Sequence, residues 1–127
     1  MPAVRLLGFV PGLFWLALTA ITVLSLIPST VVPGPLQFWD KAQHALAFAL
    51  LTVLGCLSYQ RHLKVVVSSL LVYGGLIELA QATLTTTRFG DVIDWVADAI
   101  GIAAGAALHA AWLYKLSPQA VPPERQL

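Results

Sequence analysis

The sequence predicts an all-α integral membrane protein: a bundle of four transmembrane helices with both termini in the cytoplasm. Of its 127 residues, 58% are hydrophobic and only 10% are charged, and the mean hydropathy is +0.82. A soluble domain carries about 25% charged residues, so this chain has too few to cover a surface that faces water. Four long apolar stretches are present, without the alternation of period two that is typical of a membrane β-barrel.

Each apolar stretch is close to the length of a transmembrane helix, since about 20 residues cross a hydrocarbon core of about 30 Å. The stretches cover residues 6–27, 42–59, 65–82 and 93–113. The first has no charged residue and stops at Pro28. It follows Arg5 as a signal peptide would, but it is long and no A-x-A cleavage motif comes after it, so an uncleaved helix is favoured.

The domain organisation is simple. Residues 1–115 are predicted to form a single four-helix transmembrane unit, with no internal repeat or linker. Residues 116–127 are rich in proline and polar side chains and are predicted to form a disordered tail. Cys56 lies in an apolar run, where a small packing residue is the simplest interpretation. No basic cluster or nucleic-acid motif is present, so nucleic acid is not an expected partner.

Lysine and arginine are unequally divided between the two sides of the predicted bundle. The side of the termini and the 59–64 loop carries Arg5, Arg61, Lys64, Lys115 and Arg125, whereas the 28–41 and 83–92 loops carry Lys41 and Arg88. Cytoplasmic loops of membrane proteins hold the excess of positive charge. Both termini are therefore predicted to be cytoplasmic, and the 28–41 and 83–92 loops to face outward.

The acidic residues are concentrated on the predicted outer side. Five of the six lie there, at helix ends: Asp40, Glu78, Asp91, Asp94 and Asp98. A charged side chain inside the bilayer costs at least about 2.5–3.5 kcal/mol, so Glu78, Asp94 and Asp98 are expected to face the bundle interior. The three aspartates of the last helix share one face. With His44, Gln81 and Arg88 they predict a polar pocket in the outer half of the membrane.

Several of these residues also have a purely structural interpretation. Asp40 and Asp91 fit the N-cap positions of the helices that follow them. His44 could be a buried histidine that is bonded to neighbouring backbone. Glu78 could form an ion pair with Arg88, or Arg88 could be an ordinary charge on the outer surface. The sequence alone leaves these alternatives open.

Small residues recur every four positions along the last predicted helix, at Ala97, Gly101 and Gly105. Such a pattern is typical of close helix packing in membranes. The small-residue face nearly coincides with the acidic face, which supports an acidic stripe that points inward. We expect Gly74 and Gly75 on the preceding helix to provide the opposing close approach.

The order and spacing of the polar residues resemble those of the VanZ-like family. The matching segments are DKAQH at residues 40–44, ELAQ at 78–81, Arg88, and DWVADAIG at 94–101. The family pattern is D-K-x-x-H on one helix, E-x-x-Q on the next, an arginine, and D-x-x-x-N-x-x-G at the start of the last helix. Asp98 departs from the pattern, which has asparagine there. Its carboxylate makes the pocket more acidic and puts in doubt any role that needs an amide donor.

The resemblance covers residues 40–105 and implies a small multi-pass protein of the bacterial cytoplasmic membrane. The family is named for resistance to the glycopeptide teicoplanin. The functional residues that it implies are Asp40, Lys41, His44, Glu78, Gln81, Arg88, Asp94 and Asp98. Lys41 enters through the resemblance, since the sequence otherwise predicts a solvated or interfacial lysine. The resemblance implies no particular reaction.

Three functions are compatible with such a pocket. In an envelope enzyme, His44 paired with Asp40 or Asp94 would be a general base, and Arg88 would hold a phosphate or carboxylate of a lipid-linked precursor. A divalent cation such as Mg²⁺, Ca²⁺ or Mn²⁺ would suit the oxygen ligands of Glu78, Asp94 and Asp98. A binding protein would instead shield an envelope lipid or a glycopeptide without chemistry. In the third function, a homo-oligomer would use the acids as an ion or proton site.

Overall fold

The computed structural model describes residues 8–31 and 40–117, and its regular structure there is entirely helical. The elements are α1 (Val10–Leu26), a short 3₁₀ helix (Ser29–Val31), α2 (Asp40–Ser58), α3 (Leu63–Leu84) and α4 (Val92–Leu116). The all-α prediction is thus confirmed for these segments. The predicted tail falls almost wholly outside the described residues, and so does Arg5.

The helices follow the four apolar stretches closely. α1 has Pro11 in its first turn, where proline is tolerated, and it ends two residues before Pro28, which cannot continue a helix. Asp91 caps α4 as predicted, because its side chain accepts a hydrogen bond from the Ile93 N–H. α2, α3 and α4 are long and apolar enough to cross a membrane, whereas the described α1 is apolar but has only 17 residues.

Consecutive helices run in opposite directions. Gly74 of α3 lies against Asp98 of α4, and Glu78, further along α3, is bonded to Asp91, which precedes α4. Alternate helices are consequently parallel: α2 meets α4 at Ala45 with Gly101 and again, four residues later in both helices, at Ala49 with Gly105. This up-down-up-down order brings the ends of α1 and α3 together with the starts of α2 and α4.

The closest helix contact joins α2 and α4 and depends on glycine. A Cβ atom at Gly101 would overlap the Ala45 carbonyl oxygen, and one at Gly105 would lie 2.6 Å from the Ala49 carbonyl oxygen. The small-residue stripe therefore packs on the backbone of α2. Gly74 does give α3 a close approach to α4, as expected, but it faces Asp98 and not Gly101 or Gly105. Gly75 lies near the Trp95 ring without such a close contact.

The apolar core lies between α1, α2, α3 and α4. Its buried members are Phe14, Phe48, Leu51, Cys56, Val66, Leu70 and Ile102. Large apolar side chains also cover the outside of all four helices, for example Leu16, Leu46, Leu76 and Leu108. A water-facing surface rarely exposes so much contiguous apolar area, so the outer surface fits a lipid environment.

Candidate functional site

One end of the bundle, which we term the acidic end, collects the charged and polar residues of separate helices. It is formed by the last turns of α1 and α3, the first turns of α2 and α4, and the 85–91 loop. His44, Glu78, Gln81, Asp94 and Asp98 are all buried there. These five residues thus lie on the interior faces of α2, α3 and α4. The other residues that the sequence places in the same pocket are only partly buried: Asp40, Arg88 and Asp91.

The most deeply buried contact of the acidic end joins α2 to α4. The His44 Nδ1 atom lies 2.9 Å from the Asp98 Oδ1 atom, and Asp98 has no exposed surface. The second carboxylate oxygen of Asp98 has no hydrogen-bond partner among the described residues. It faces Gly74, where a Cβ would approach it to 2.8 Å. The sequence analysis paired His44 with Asp40 or Asp94; its hydrogen bond is instead to Asp98.

Lys41 bridges two acids at the mouth of the acidic end. Its Nζ atom lies 2.7 Å from the Asp94 Oδ1 atom and 3.1 Å from the Asp91 Oδ2 atom. The hydrogen bond from the Ile93 N–H and the nearby Lys41 ammonium group together hold the pKa of Asp91 below its usual value. Lys41 was predicted only from the family resemblance, and this bridge gives it a structural role between α2 and α4.

Glu78 is held by the backbone of the loop that leads into α4. Its Oε2 atom accepts a hydrogen bond from the Asp91 N–H at 2.8 Å, while its buried Oε1 atom has no partner among the described residues. The loop can come this close because of Gly90, where a Cβ would lie 2.5 Å from the Glu78 carbonyl oxygen. Arg88 forms no ion pair with Glu78 within the described part of the chain.

The C-terminal end of α1 contributes backbone carbonyl groups to the acidic end, and no sequence motif predicts them. Gln81 Nε2 donates to the Ser25 carbonyl oxygen at 2.9 Å, and Arg88 Nε donates to the Ile27 carbonyl oxygen at 2.9 Å. Helix ends leave such carbonyls without intrahelical partners, and a cation is favoured there. The only available sequence signal was Pro28, which ends α1 and frees these carbonyls.

A cavity of about 170 Å³ opens at the acidic end. Its polar side carries Asp40, His44 and Arg88, and its apolar side carries Ile21, Leu24 and Phe48. Pockets for whole drug-sized ligands measure about 300–1,000 Å³, so this cavity is too small to enclose a whole ligand of that size. His44 is the residue that both lines the cavity and touches the buried acid of α4.

Two groups of side chains at this end are close enough to share a metal ion, among the residues that the structure describes. One consists of His44, Glu78 and Asp98 and is fully buried, and the other consists of Asp40, His44 and Asp94. Within each group the ligand atoms lie within 4.8 Å of one another. The predicted set of Glu78, Asp94 and Asp98 is therefore divided, since Asp94 falls in the second group and is bonded to Lys41.

The chain was compared with protein-family models, with curated proteins and with solved structures. It matches none of them. The function is therefore inferred from the geometry of the acidic end and from the sequence motifs that form it.

Proposed function

We propose that this protein is a VanZ-like enzyme of the bacterial cytoplasmic membrane that binds the anionic headgroup of a lipid or cell-wall precursor and acts on it by proton transfer. In this proposal α1 crosses the membrane together with α2, α3 and α4. The termini are cytoplasmic, and the acidic end opens outward. Support comes from the order of the motif residues 40–44, 78–81, Arg88 and 94–101, from the three apolar helices, and from the division of Lys and Arg between the loops.

The observation that carries the proposal is that His44 lines the cavity and also contacts a buried acid. Its ring lines the cavity, and its Nδ1 atom is bonded to the fully buried Asp98. A carboxylate that holds one ring nitrogen fixes the tautomer and orientation of an imidazole, so that the other nitrogen can exchange a proton with a bound group. A histidine with only a packing role would not need to face a cavity.

The proposed chemistry assigns one task to each side of the cavity. When Nδ1 donates its hydrogen to Asp98, Nε2 is the nitrogen left to accept a proton from a hydroxyl group or a water molecule, as a general base does. Arg88 supplies a positive charge for a phosphate or carboxylate. The apolar side, with Leu24 and Phe48, would contact the part of the ligand that leads into the lipid.

The experiment is a lipid assay on reconstituted protein. Vesicles of bacterial polar lipids that contain a polyprenyl phosphate or a polyprenyl diphosphate are incubated with the protein, and the lipids are followed by mass spectrometry. His44→Gln should lower turnover by about 10²–10⁴-fold, the usual contribution of a general base, without loss of lipid binding. Arg88→Gln should weaken binding about tenfold or more, as loss of a charge-assisted hydrogen bond does. Arg61→Gln, at the opposite end, is the matched control and should have no effect.

The outcomes separate the proposal from its main alternative. Binding of the lipid that depends on Arg88, without any product from the wild-type protein, would indicate a protein that shields its ligand. Equal turnover in the wild type and in His44→Gln would refute the assignment of His44. Neither binding nor turnover of these lipids, at protein concentrations that saturate the vesicles, would refute the proposed ligand class.

The proposed topology has its own test. The only cysteine, Cys56, is buried, so a second cysteine at an exposed loop position can be labelled selectively. Phe89→Cys, in the loop before α4, should react with a membrane-impermeant maleimide on intact bacterial spheroplasts. Gln60→Cys, in the turn between α2 and α3, should react only after the membrane is opened. The reverse pattern would invert the proposed orientation.

A further inference from the structure

We propose that His44, Glu78 and Asp98 bind a divalent transition-metal ion, such as Mn²⁺ or Zn²⁺, next to the headgroup cavity, which His44 lines. The three side chains come from α2, α3 and α4, and all are buried. Their ligand atoms lie within 4.8 Å of one another. Two ligands of one ion are separated by at most about 4.4 Å, twice a metal–ligand bond, so a small side-chain rotation completes the site. The inference shares its cavity with the proposed function and refines it.

Two unpartnered oxygens provide the independent reason for an ion. Glu78 Oε1 and Asp98 Oδ2 are both buried without a hydrogen-bond partner among the described residues, and the two residues are 8% and 0% exposed. Burying a carboxylate is costly unless a partner or a metal compensates its charge. Of the lysine, arginine and histidine side chains described, only His44 forms an ion pair with either residue.

The other described cations of the acidic end, Lys41 and Arg88, do not pair with these two acids. The Lys41 ammonium group contacts Asp91 and Asp94, and Arg88 Nε is bonded to the Ile27 carbonyl oxygen. When both acids are ionised, two buried carboxylates face one imidazole, and the negative charge is in excess. A divalent ion balances this charge in a way that a neutral packing partner does not.

The ligand types select the class of metal. Calcium and magnesium take oxygen ligands almost exclusively, whereas imidazole suits first-row transition metals. One imidazole and two carboxylates form the mixed set found in sites of that kind. The 2.9 Å separation of His44 Nδ1 and Asp98 Oδ1 is close to that of two adjacent ligands of one ion, about 3.0 Å when both bonds are about 2.1 Å and perpendicular.

The ion would change what His44 does. Metal at Nδ1 replaces the hydrogen that otherwise lies between the ring and Asp98, so Nε2 then carries a hydrogen and donates it to the bound headgroup. His44 as a free base and His44 as a ligand are therefore exclusive states. If the free base carries the reaction, chelation raises turnover because it releases His44; if the ion takes part, chelation lowers turnover and Mn²⁺ or Zn²⁺ restores it.

The test measures the ion without any lipid. Purified protein is stripped with a chelator and titrated with Mn²⁺, with free ion followed by electron paramagnetic resonance; bound Zn²⁺ is counted separately by mass spectrometry. We expect one ion per chain in the wild type and an affinity at least about 100-fold lower in Glu78→Gln and Asp98→Asn. Loss of a residue that only orients a metal ligand lowers affinity by about 10–100-fold, so a larger loss indicates a direct ligand. Asp91→Asn, at an acid of the same end that belongs to neither candidate metal group, should bind like the wild type.

A second readout identifies the nitrogen ligand and does not depend on the acidic variants folding. Pulsed electron paramagnetic resonance of Mn²⁺ bound to the wild type should show coupling to a histidine nitrogen. This coupling should be absent in His44→Gln and retained in His109→Gln. No stoichiometric binding in the wild type, or nitrogen coupling that survives His44→Gln, would overturn the site. Headgroup binding measured in the presence of the chelator tests the proposed function separately, so either proposal can fail alone.

Discussion

Replacing Gly101 by alanine should separate α2 from α4 and weaken the fold. A Cβ at this position would overlap the Ala45 carbonyl oxygen and would lie 2.9 Å from the Ala45 carbonyl carbon. Ordinary van der Waals contact begins at 3.4 Å, so the backbones must move apart by at least about 0.5 Å, because no side chain can rotate away. Overpacking of this kind costs about 1–3 kcal/mol, and the gain in helix propensity from glycine to alanine returns at most about 1 kcal/mol.

We therefore expect Gly101→Ala to lower the free energy of unfolding by up to about 2 kcal/mol, the overpacking cost of about 1–3 kcal/mol less a propensity gain of about 1 kcal/mol. Gly12→Ala in α1 is the matched control, because no described atom outside its own helix backbone lies within 4 Å of its Cβ position, and it should be neutral or stabilising. Reversible unfolding in mixed micelles, followed by circular dichroism, compares the two. Equal stability of the two variants would refute the close α2–α4 contact.

The same displacement should disturb the site. A shift of about 0.5 Å would lengthen the His44–Asp98 contact from 2.9 Å beyond the usual hydrogen-bond range, which ends near 3.2 Å. Gly101→Ala should consequently lower headgroup turnover as well as stability, whereas Gly12→Ala should change neither.

Three further changes probe single contacts. Gly74→Ala, whose Cβ would lie 2.8 Å from Asp98 Oδ2, should weaken Mn²⁺ binding in the titration, whereas Gly75→Ala should not. Tyr73→Phe removes the hydroxyl group that bonds to α1 and should cost about 0.5–1.5 kcal/mol in the unfolding assay. Because contacts lower the pKa of Asp91, its charge stabilises the fold above the ordinary carboxyl pKa of about 3.9 and loses this effect as pH falls through the lowered value. Asp91→Asn should therefore show a smaller loss of stability on acidification than the wild type.

The helices could be predicted from the sequence because their signals are local. An apolar stretch near 20 residues in length, a proline that ends it and an aspartate that caps it determine an element without reference to its neighbours. Pro28 and Asp91 were therefore interpreted correctly. Burial of Glu78, Asp94 and Asp98 could also be predicted, since a charged side chain on an apolar membrane helix is costly when it faces lipid and is therefore expected to face the bundle interior.

The partners of these residues could not be predicted, because they depend on how the helices are rotated about their axes. Periodicity shows that small residues and aspartates nearly share a face of α4, but it does not say which helix meets that face. Gly101 meets α2 and Asp98 meets both His44 and Gly74. The role of the Ser25 and Ile27 carbonyl groups could not be predicted for another reason. Every residue has a backbone carbonyl, so the sequence does not show which one will accept a hydrogen bond from a distant side chain.

An unpartnered polar side chain is not by itself a sign of function, and His109 shows why. Both of its ring nitrogens are buried without a hydrogen-bond partner among the described residues, yet it belongs to neither candidate metal group and does not line the cavity. At the acidic end, by contrast, buried acids from two helices meet a histidine from a third beside the cavity. Replacing buried charges by apolar groups often leaves a fold as stable or more so. The fold alone therefore gives little reason to bury Glu78 and Asp98 beside a cavity, whereas binding an ion and a headgroup gives a direct one.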